Sequence, residues 1–180
     1  MQEPRVTLCA HGAMRRVLVI GSGGAGKSTF ARRLARCTGL PLIHLDAIYW
    51  HPGWVETPRE EWALVVEKLV SGDEWIIDGN YGGTFEQRLA ACDTVVFLDM
   101  PRWLCLWRAV VRRVRYRTEP RPDMREGCPE ELTWEFVRWV WTYPRRRRPE
   151  ILQRLSRPDS GRRVFVLRSA SDVEQFFRAV

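Results

Sequence analysis

The sequence lacks the features that would place the chain in a membrane or among disulfide-stabilised proteins. It has no apolar run of about 18 residues, the length that a membrane-spanning helix needs, and no apolar N-terminal segment of the secretory type. It has no C-x-x-C pair, and its five cysteines are widely spaced, so neither a zinc site nor a disulfide framework is indicated. Unpaired cysteines fit a reducing compartment, and we expect a cytoplasmic protein with no membrane partner.

Lysine is also scarce, because the chain has two lysines, Lys27 and Lys68, against 27 arginines. The net charge of +7 lies in one segment: residues 102–148 hold 13 arginines and six acidic residues, whereas the rest of the chain is balanced. This segment is therefore where contacts with an anionic ligand or with nucleic acid are expected.

The length of 180 residues suits one domain, and a hydrophobic content of 45% suffices for a buried core. Residues 1–13 carry no pattern, and we expect them to be a disordered extension or to precede the native start. Residues 14–180 are the predicted domain, and no internal repeat is visible. The cysteines predicted to be core thiols are Cys37, Cys92 and Cys105.

Short apolar runs alternate with segments of helical spacing along the predicted domain. Strands are predicted at Arg16–Ile20, Leu42–Leu45, Trp75–Ile77, Thr94–Leu98 and Arg163–Leu167. The longer connections are predicted at Ala47–Thr57, Thr118–Glu130 and Pro144–Pro149. The alternation predicts a five-stranded parallel sheet flanked by helices, which binds ligands at the carboxyl ends of its strands.

The segment Gly21–Thr29 matches G-x-x-x-x-G-K-[ST] and lies between a predicted strand and a predicted helix. Glycines let several backbone N–H groups point at one phosphate, and the following helix adds its positive N-terminal end. The Lys27 ammonium is expected to bind the β- and γ-phosphates, and the Ser28 hydroxyl is expected to coordinate Mg²⁺. We therefore expect a P-loop that binds ATP with Mg²⁺. The expected contacts are Gly21, Gly23, Gly24, Ala25, Gly26, Lys27, Ser28 and Thr29.

Acidic residues follow three of the predicted strands at the same edge of the sheet. Asp99 ends an apolar strand, which is typical of a Walker-B aspartate that holds Mg²⁺, although it could instead cap the helix that Pro101 opens. Asp46 could orient or deprotonate an acceptor hydroxyl, or hold Mg²⁺. Asp78 opens an Asp-Gly turn and is a candidate contact for the acceptor. Which of the three carboxylates binds the metal stays open.

The basic segment predicts an Arg-rich lid over approximately residues 112–148. Arg108, Arg112 and Arg115 share one face of a predicted helix, and arginines that close over a transferring phosphoryl group stabilise its charge. The alternatives are a solvated basic face and a nucleic-acid patch, which is less favoured. The role of Arg145–Arg148 stays open. The predicted apolar positions are Trp103, Trp107, Val110, Val111 and Val114, with Trp134, Trp139 and Trp141 as core residues.

In order and spacing, the P-loop, the Asp78-Gly79 turn and residues 97–113 resemble the adenylate kinase superfamily of small P-loop kinases. This resemblance implies that Arg108 stacks on the ATP base and that Arg112 contacts its phosphates. It also implies that the loop around Arg168 packs against the base.

From Met14 onward the chain is also similar to bacterial proteins labelled DNA topology modulation protein. They share the segments His44–Trp54 and Trp75–Tyr81. The label implies an effect on DNA, whereas the motifs are those of a kinase.

The nucleoside-monophosphate segment of adenylate kinase is not recognisable, because Tyr49–Trp54 follows Asp46 in its place. An aspartate after the second strand, with aromatic residues nearby, is more similar to the shikimate and gluconate kinases, which phosphorylate small hydroxyl compounds. The candidate acceptor contacts are Asp46, Asp78, Asn80, Tyr81 and Arg88, and the candidate catalytic residues are Lys27, Asp46 and Arg112.

Together these features predict a three-layer P-loop NTPase fold and an ATP-dependent phosphotransferase, monomeric or homodimeric, that acts on a nucleotide or a small hydroxyl-bearing metabolite. The alternative is a nucleic-acid-associated ATP-binding protein that modulates DNA topology. A sulfotransferase-like protein is a weaker alternative, because the loop carries a complete Gly-Lys-Ser.

Overall fold

The chain folds into alternating strands and helices. The structure, a computed structural model, describes residues 14–116, 124, 127–128, 132–157 and 161–180. The strands in these residues are β1 Arg16–Gly21, β2 Leu42–His44, β3 Trp50–His51, β4 Val55–Glu56, β5 Trp75–Asp78, β6 Thr94–Leu98 and β7 Arg163–Leu167. The helices are α1 Lys27–Thr38, α2 Leu45–Tyr49, α3 Arg59–Val70, α4 Phe85–Ala91, α5 Arg102–Arg115, α6 Trp134–Arg146, α7 Arg148–Leu155 and α8 Ala170–Ala179, with a 3₁₀ turn at Gly82–Thr84.

Five strands form one parallel sheet in the order β2-β5-β1-β6-β7, which confirms the predicted sheet. The first strand lies at the centre, with Val19 beside Asp78 of β5 on one side and Val96 of β6 on the other. Residues 17–20 are at most 1% exposed, as expected for an apolar run that is covered on both faces. The P-loop therefore leaves the middle of the sheet.

Two clusters of buried side chains lie on opposite faces of the sheet, and alternate residues of β1 enter alternate clusters. Val17 and Val19 belong to the cluster that is covered by α1, α5 and α8. Leu18 and Ile20 belong to the cluster that is covered by α3, α4 and α7. Helix α6 contributes to both clusters. The predicted three-layer architecture is confirmed.

The connection predicted as a loop at Ala47–Thr57 has regular structure. Asp46 lies in the first turn of α2 rather than at the end of a strand, and β3 and β4 form a small antiparallel ribbon. Gly53 adopts φ +78 between the two strands, and the Trp50 and Trp54 rings meet edge to face at 5.3 Å. Elements of two and five residues are too short to produce a periodicity in the sequence.

The predicted basic break at Pro144–Pro149 is wrong, because α6 continues through Pro144 to Arg146 and α7 begins at Arg148. Proline removes one backbone donor and disfavours a helix interior. In α6, Val140 and Tyr143, at most 4% exposed, hold the last turns of the helix against the core. Tertiary packing therefore outweighs the local preference of proline.

Several residues predicted to be buried lie at the surface. Cys37 is exposed, whereas Cys92 and Cys105 are buried. Trp134 is 72% exposed. The apolar positions predicted for α5 are exposed by 41–72%, and they are Trp103, Trp107, Val110, Val111 and Val114. The reason is that α5 buries its small residues Cys105 and Ala109 and turns Arg108 toward the P-loop.

Two predicted regions fall wholly or partly outside the described residues: the extension at residues 1–13 and the lid at residues 112–148. Most of the predicted loop at Thr118–Glu130 also lies outside them. In the described ranges, every helix is too short or too polar to cross a membrane.

Candidate active site

The P-loop connects β1 to α1 at the carboxyl edge of the sheet. Gly24 and Gly26 adopt φ +75 and +95, a conformation that glycine reaches without steric cost. A side chain at Gly24 would place its Cβ 2.1 Å from the carbonyl oxygen of Cys105 in α5. The glycines are therefore required both for the turn and for the close contact with the neighbouring helix.

The P-loop presents cations and unpaired backbone donors to the same space. Lys27 Nζ donates to the carbonyl oxygen of Ser22 at 3.1 Å, and Arg108 Nη1 donates to that of Ala25 at 3.0 Å. Lys27, Ser28 and Thr29 form the first turn of α1, where backbone N–H groups have no partner within the helix. This arrangement suits an anion such as a phosphate chain.

Asp99, the predicted metal ligand, is 10% exposed at the end of β6 and is bound by arginine. Arg148 Nε donates to both of its carboxylate oxygens, at 3.0 and 2.8 Å. Arg168 Nε lies 3.6 Å from the same carboxylate. The structure thus brings Asp99 close to Arg168, which was predicted to lie in the loop that packs against the ATP base. Within the run Arg145–Arg148, it is Arg148 that binds Asp99. Nothing in that run distinguished Arg148 in the sequence.

Few of the described side chains near the P-loop could coordinate a metal ion. This suits Mg²⁺ that is bound mainly by phosphate oxygens and by only one or two protein ligands. Among the described residues, no group of three His, Cys, Asp or Glu side chains could hold a metal ion. Mg²⁺ in kinases takes one or two protein ligands and completes its shell with phosphate oxygens and water. Ser28, at the start of α1, fits this need, and Asp99 stays a predicted second ligand.

The turn after β5, residues 78–81, is tied directly to the P-loop, and we call it the acceptor-side turn. Asn80 Nδ2 donates to the carbonyl oxygen of Gly21 at 2.6 Å, and Asn80 Oδ1 accepts from the Gly21 N–H at 3.1 Å. This pair of bonds joins residues 59 positions apart. The Asn80 amide therefore fixes the start of the P-loop.

Arg88, predicted to contact the acceptor, lies behind the acceptor-side turn and is fully buried. Its guanidinium donates to the carbonyl oxygens of Gly79 at 2.8 Å, Asn80 at 2.5 Å and Tyr81 at 2.8 Å, and more weakly to Thr84 at 3.3 Å. Burial lowers the pKa of Arg88 to about 10, so the group stays protonated and donates at neutral pH. Arg88 therefore supports the acceptor-side turn by binding its backbone carbonyl oxygens.

Tyr81 links the acceptor-side turn to Asp46. Its hydroxyl donates to Asp46 Oδ1 at 2.6 Å, and its backbone adopts φ +26, which is strained for a tyrosine. The Tyr49 and Trp62 rings lie 4.6 and 5.1 Å from the Tyr81 ring. Burial, then the Asp46 charge, raises the pKa of Tyr81. The phenol therefore keeps its proton and orients the Asp46 carboxylate.

Asp78 is paired with a histidine to which sequence reasoning gave no role. His44 Nδ1 lies 3.0 Å from Asp78 Oδ2, and the Asp78 side chain is only 5% exposed. The other oxygen, Oδ1, has no hydrogen-bond partner in the described part of the chain. The two residues are register partners on β2 and β5, a pairing that only the strand order reveals.

One face of α6 lines a cavity of about 450 Å³ next to the P-loop. Trp139 provides the link, because a Cβ at Gly23 would lie 2.9 Å from its ring. The Tyr143 hydroxyl is buried and has no hydrogen-bond partner among the residues described. The cavity is lined by Glu135, Arg138, Trp139, Thr142, Tyr143, Arg146 and Arg147. Arg138 and Arg146 of α6, together with Arg147 directly after the helix, outnumber Glu135 and give this cavity a cationic wall.

Arg112, predicted to be catalytic, lies on α5 with its guanidinium 5.8 Å from the centre of the Phe136 ring of α6. Phe136 in turn reaches the P-loop, because its ring would be 2.7 Å from a Cβ at Gly23. Arg112 therefore stands at the junction of α5 and α6 beside the P-loop.

Comparison with known proteins identifies the fold. No protein-family model matches the sequence, and no curated protein matches it. The structure is similar to shikimate kinase from Bacteroides thetaiotaomicron, with a TM-score of 0.52 and 18% identity over 92% of this chain and 95% of that one. It is also similar to a gluconokinase from Sinorhizobium meliloti 1021, with a TM-score of 0.51 and 15% identity over 94% of this chain and 90% of that one.

A provisionally assigned kinase from Chloroflexus aurantiacus J-10-fl gives a TM-score of 0.53 at 13% identity, over 94% of this chain and all of that one. These similarities cover nearly the whole of each chain. The protein therefore has the fold of the small P-loop kinases, as the sequence predicted.

Proposed function

We propose that the protein is an ATP- and Mg²⁺-dependent phosphotransferase that acts on a small acceptor. The observation that carries the proposal is the hydrogen-bonded path from the P-loop to Asp46. Asn80 binds Gly21, and Tyr81, the next residue, binds Asp46. A phosphate-binding loop and a carboxylate suited to an acceptor hydroxyl are thus held in one rigid unit, as in-line transfer requires.

On the nucleotide side, ATP with Mg²⁺ would supply the transferable phosphoryl group and the metal charge that offsets its negative oxygens. The N–H groups of the P-loop and the Lys27 ammonium would hold the phosphates. Ser28 would contribute a hydroxyl ligand to Mg²⁺. Asp99 would join it directly or through water, and Arg148 orients that carboxylate through two hydrogen bonds. Arg108, Arg112 and Arg168 are assigned to the nucleotide by their resemblance to adenylate kinase positions.

On the acceptor side, Asp46 is the residue that would accept or orient the hydroxyl proton. Tyr81 positions the Asp46 carboxylate through the 2.6 Å hydrogen bond. Asn80 and Arg88 act as positioning residues, because their polar groups bind backbone atoms of the turn and the P-loop. Asp78 stays a proposed acceptor contact together with His44.

The cationic wall of α6 favours an acceptor that carries a carboxylate or a phosphate. Arg138, Arg146 and Arg147 line the same cavity, and guanidinium groups bind such anions with paired hydrogen bonds. The shikimate kinase and the gluconokinase of similar fold are named for acceptors of this chemistry. The free thiols among the described cysteines are consistent with a cytoplasmic location.

The test of this proposal measures the transfer of label from γ-labelled ATP to each of a panel of acceptors: shikimate, gluconate, nucleoside monophosphates and neutral sugars. We expect Mg²⁺-dependent transfer to one anionic hydroxyl compound. The Asp46→Asn variant should reduce that transfer by about 10²- to 10⁴-fold, the usual contribution of a general base, while ATP binding is retained. Asp73→Asn, at an exposed site, is the matched control and should leave transfer unchanged.

A protein that binds ATP but transfers no label to any acceptor would contradict the kinase proposal. The exposed arginines Arg145–Arg147 then favour the nucleic-acid alternative. That alternative predicts DNA binding whose logarithm falls steeply and linearly with the logarithm of salt concentration. The kinase proposal predicts no such binding at physiological salt.

A further inference from the structure

The outward face of α5 is apolar, although this helix is rich in arginine. Trp103, Trp107, Val110 and Val114 are exposed by 64%, 65%, 41% and 72%. At about 100° per residue these four side chains fall within one narrow sector of the helix surface. We call these four residues the α5 seam. Cys105 and Arg108, on the opposite face, contact the P-loop, so the seam is not used by the candidate active site.

The spacing of the α5 seam is that of a helix-pairing interface. Its residues follow one another at intervals of four, three and four, which is the a/d repeat of helices that pack side by side. The helix has 14 residues and is about 21 Å long, so the seam extends over nearly its whole length. A groove for an extended peptide or for a flat ligand would not require this periodicity.

We propose that the α5 seam binds the α5 seam of a second copy of this chain, in an antiparallel pair related by a two-fold axis. A seam that carries the same residues on both partners is self-complementary about such an axis. In the antiparallel arrangement, a positions face d positions. Trp107 then packs against Val110 of the second copy, and Trp103 packs against Val114 of the second copy. Each large ring meets a small side chain, whereas parallel pairing would set tryptophan against tryptophan.

The residues that border the seam favour a protein helix over an anionic surface. The bordering positions are Leu104, Leu106, Val111 and Arg113. Of these, Val111 is 43% exposed, whereas Leu104 and Leu106 pack against the core. A helix that binds anionic lipid or nucleic acid places basic residues along the edges of its apolar face. Arg108 and Arg112 are instead turned toward Ala25 and Phe136, away from the seam, and Arg102 lies over the ring of Trp103. Apolar packing therefore dominates the middle of the seam.

The exposed area is also of the right size. Each tryptophan has about 200 Å² of surface, of which about two-thirds is exposed. With the exposed parts of Val110, Val111 and Val114, the seam and its border offer on the order of 500 Å². That is near the upper limit of an apolar patch on a monomer. It supplies more than half of the roughly 800 Å² that each partner buries in a stable dimer.

The first test measures the molar mass of the full-length protein by sedimentation at increasing concentration. We expect a dimer at about 100 µM, which is well above a micromolar dissociation constant. Val110→Glu should raise the dissociation constant by at least about 100-fold, because a carboxylate would be buried without a partner. Leu64→Glu is the matched control, since Leu64 is an isolated apolar residue of α3 that is 67% exposed. It should leave the dimer intact.

The second test distinguishes antiparallel from parallel pairing. Trp107→Glu and Val110→Arg should each be monomeric, because each buries an unpaired charge in the seam. Mixed together they should form a heterodimer, since the antiparallel arrangement places the new glutamate opposite the new arginine. A mixture of Trp107→Glu with Val114→Arg should stay monomeric. All variants should keep the far-ultraviolet circular dichroism spectrum of the wild type, because these positions are exposed on the single chain. Their melting temperatures should be lower than that of the wild-type dimer, since association stabilises the folded state.

Three results would overturn the proposal. A wild-type protein that is monomeric at about 100 µM would show that the seam does not pair with a second copy. A dimer that survives Val110→Glu would place the interface elsewhere. A mixture of the two charge variants that does not associate would exclude the antiparallel arrangement.

Discussion

The P-loop and the acceptor-side turn lie next to each other, yet they are held in different ways. The P-loop is one contiguous segment, shaped by the glycines at 21, 24 and 26 and by backbone geometry. The acceptor-side turn is held by long-range side-chain contacts, since its own Asn80 reaches back 59 residues to Gly21 and its own Tyr81 reaches 35 residues to Asp46. A phosphate can be bound by backbone N–H groups of one loop. An acceptor hydroxyl needs a specific side chain, which must be positioned by others.

This comparison predicts that the two regions respond differently to the loss of a side chain: removing the Lys27 side chain from the P-loop should remove activity without loss of stability. The largest effect is expected for Lys27→Ala. Phosphoryl transfer should fall by about 10³-fold or more, because the charge that stabilises the transferring group is lost. The free energy of unfolding should change by less than about 0.5 kcal/mol. Transfer assays and urea unfolding of the same preparation measure both quantities.

Lys68→Ala is the natural control, because it removes the other lysine of the chain from an exposed site in α3. It should change neither quantity. A Lys27→Ala protein that is markedly less stable than Lys68→Ala would mean that the P-loop also depends on its side chains, and the contrast between the two regions would not hold.

The second effect is expected on stability. Arg88→Met should lower the free energy of unfolding by about 3 kcal/mol, because three buried carbonyl oxygens of the acceptor-side turn lose their donor. The melting temperature should fall by about 8 °C, the usual shift when a domain of about 180 residues loses this much unfolding free energy. Differential scanning calorimetry measures the shift.

The matched control for Arg88→Met is Arg154→Met in α7. Arg154 forms ion pairs with Glu86 at 3.2 Å and Glu150 at 2.6 Å, and both partners are largely solvated. Its loss should cost less than about 1 kcal/mol. Equal destabilisation by the two variants would argue that Arg88 does not support the turn in the way that its hydrogen bonds indicate.

The smallest effect is expected for Tyr81→Phe, which keeps the ring and removes the hydroxyl that binds Asp46. We expect kcat/KM for the acceptor to fall about 10-fold, which corresponds to about 1.4 kcal/mol, while KM for ATP is unchanged. Tyr116→Phe, at the end of α5, should behave as the wild type. Unchanged acceptor kinetics in Tyr81→Phe would show that the orientation of Asp46 does not limit transfer.

The candidate site was only partly predictable from the sequence. The P-loop was predictable because its chemistry lies in adjacent residues of fixed type. Asn80, Tyr81 and Arg88 were predicted as acceptor contacts, but the contacts that they make within the chain were not predictable. Arg88 appears in the sequence as an ordinary helical arginine, and only the path of the chain shows that its guanidinium points into the turn. The pairing of Asp99 with Arg148 was likewise not predictable, because residues 145–148 are all arginine and the sequence does not distinguish among them.

The sequence by itself determined the parallel sheet and the P-loop, because apolar periodicity, glycine placement and the Gly-Lys-Ser motif act over a few neighbouring residues. The tertiary structure decided what depends on the direction in which each element faces. It turned the apolar side of α5 outward and Arg108 toward the P-loop, and it carried α6 through Pro144. Local patterns show that a helix has two unlike faces, but the free energy of packing against the rest of the chain decides which of them is buried.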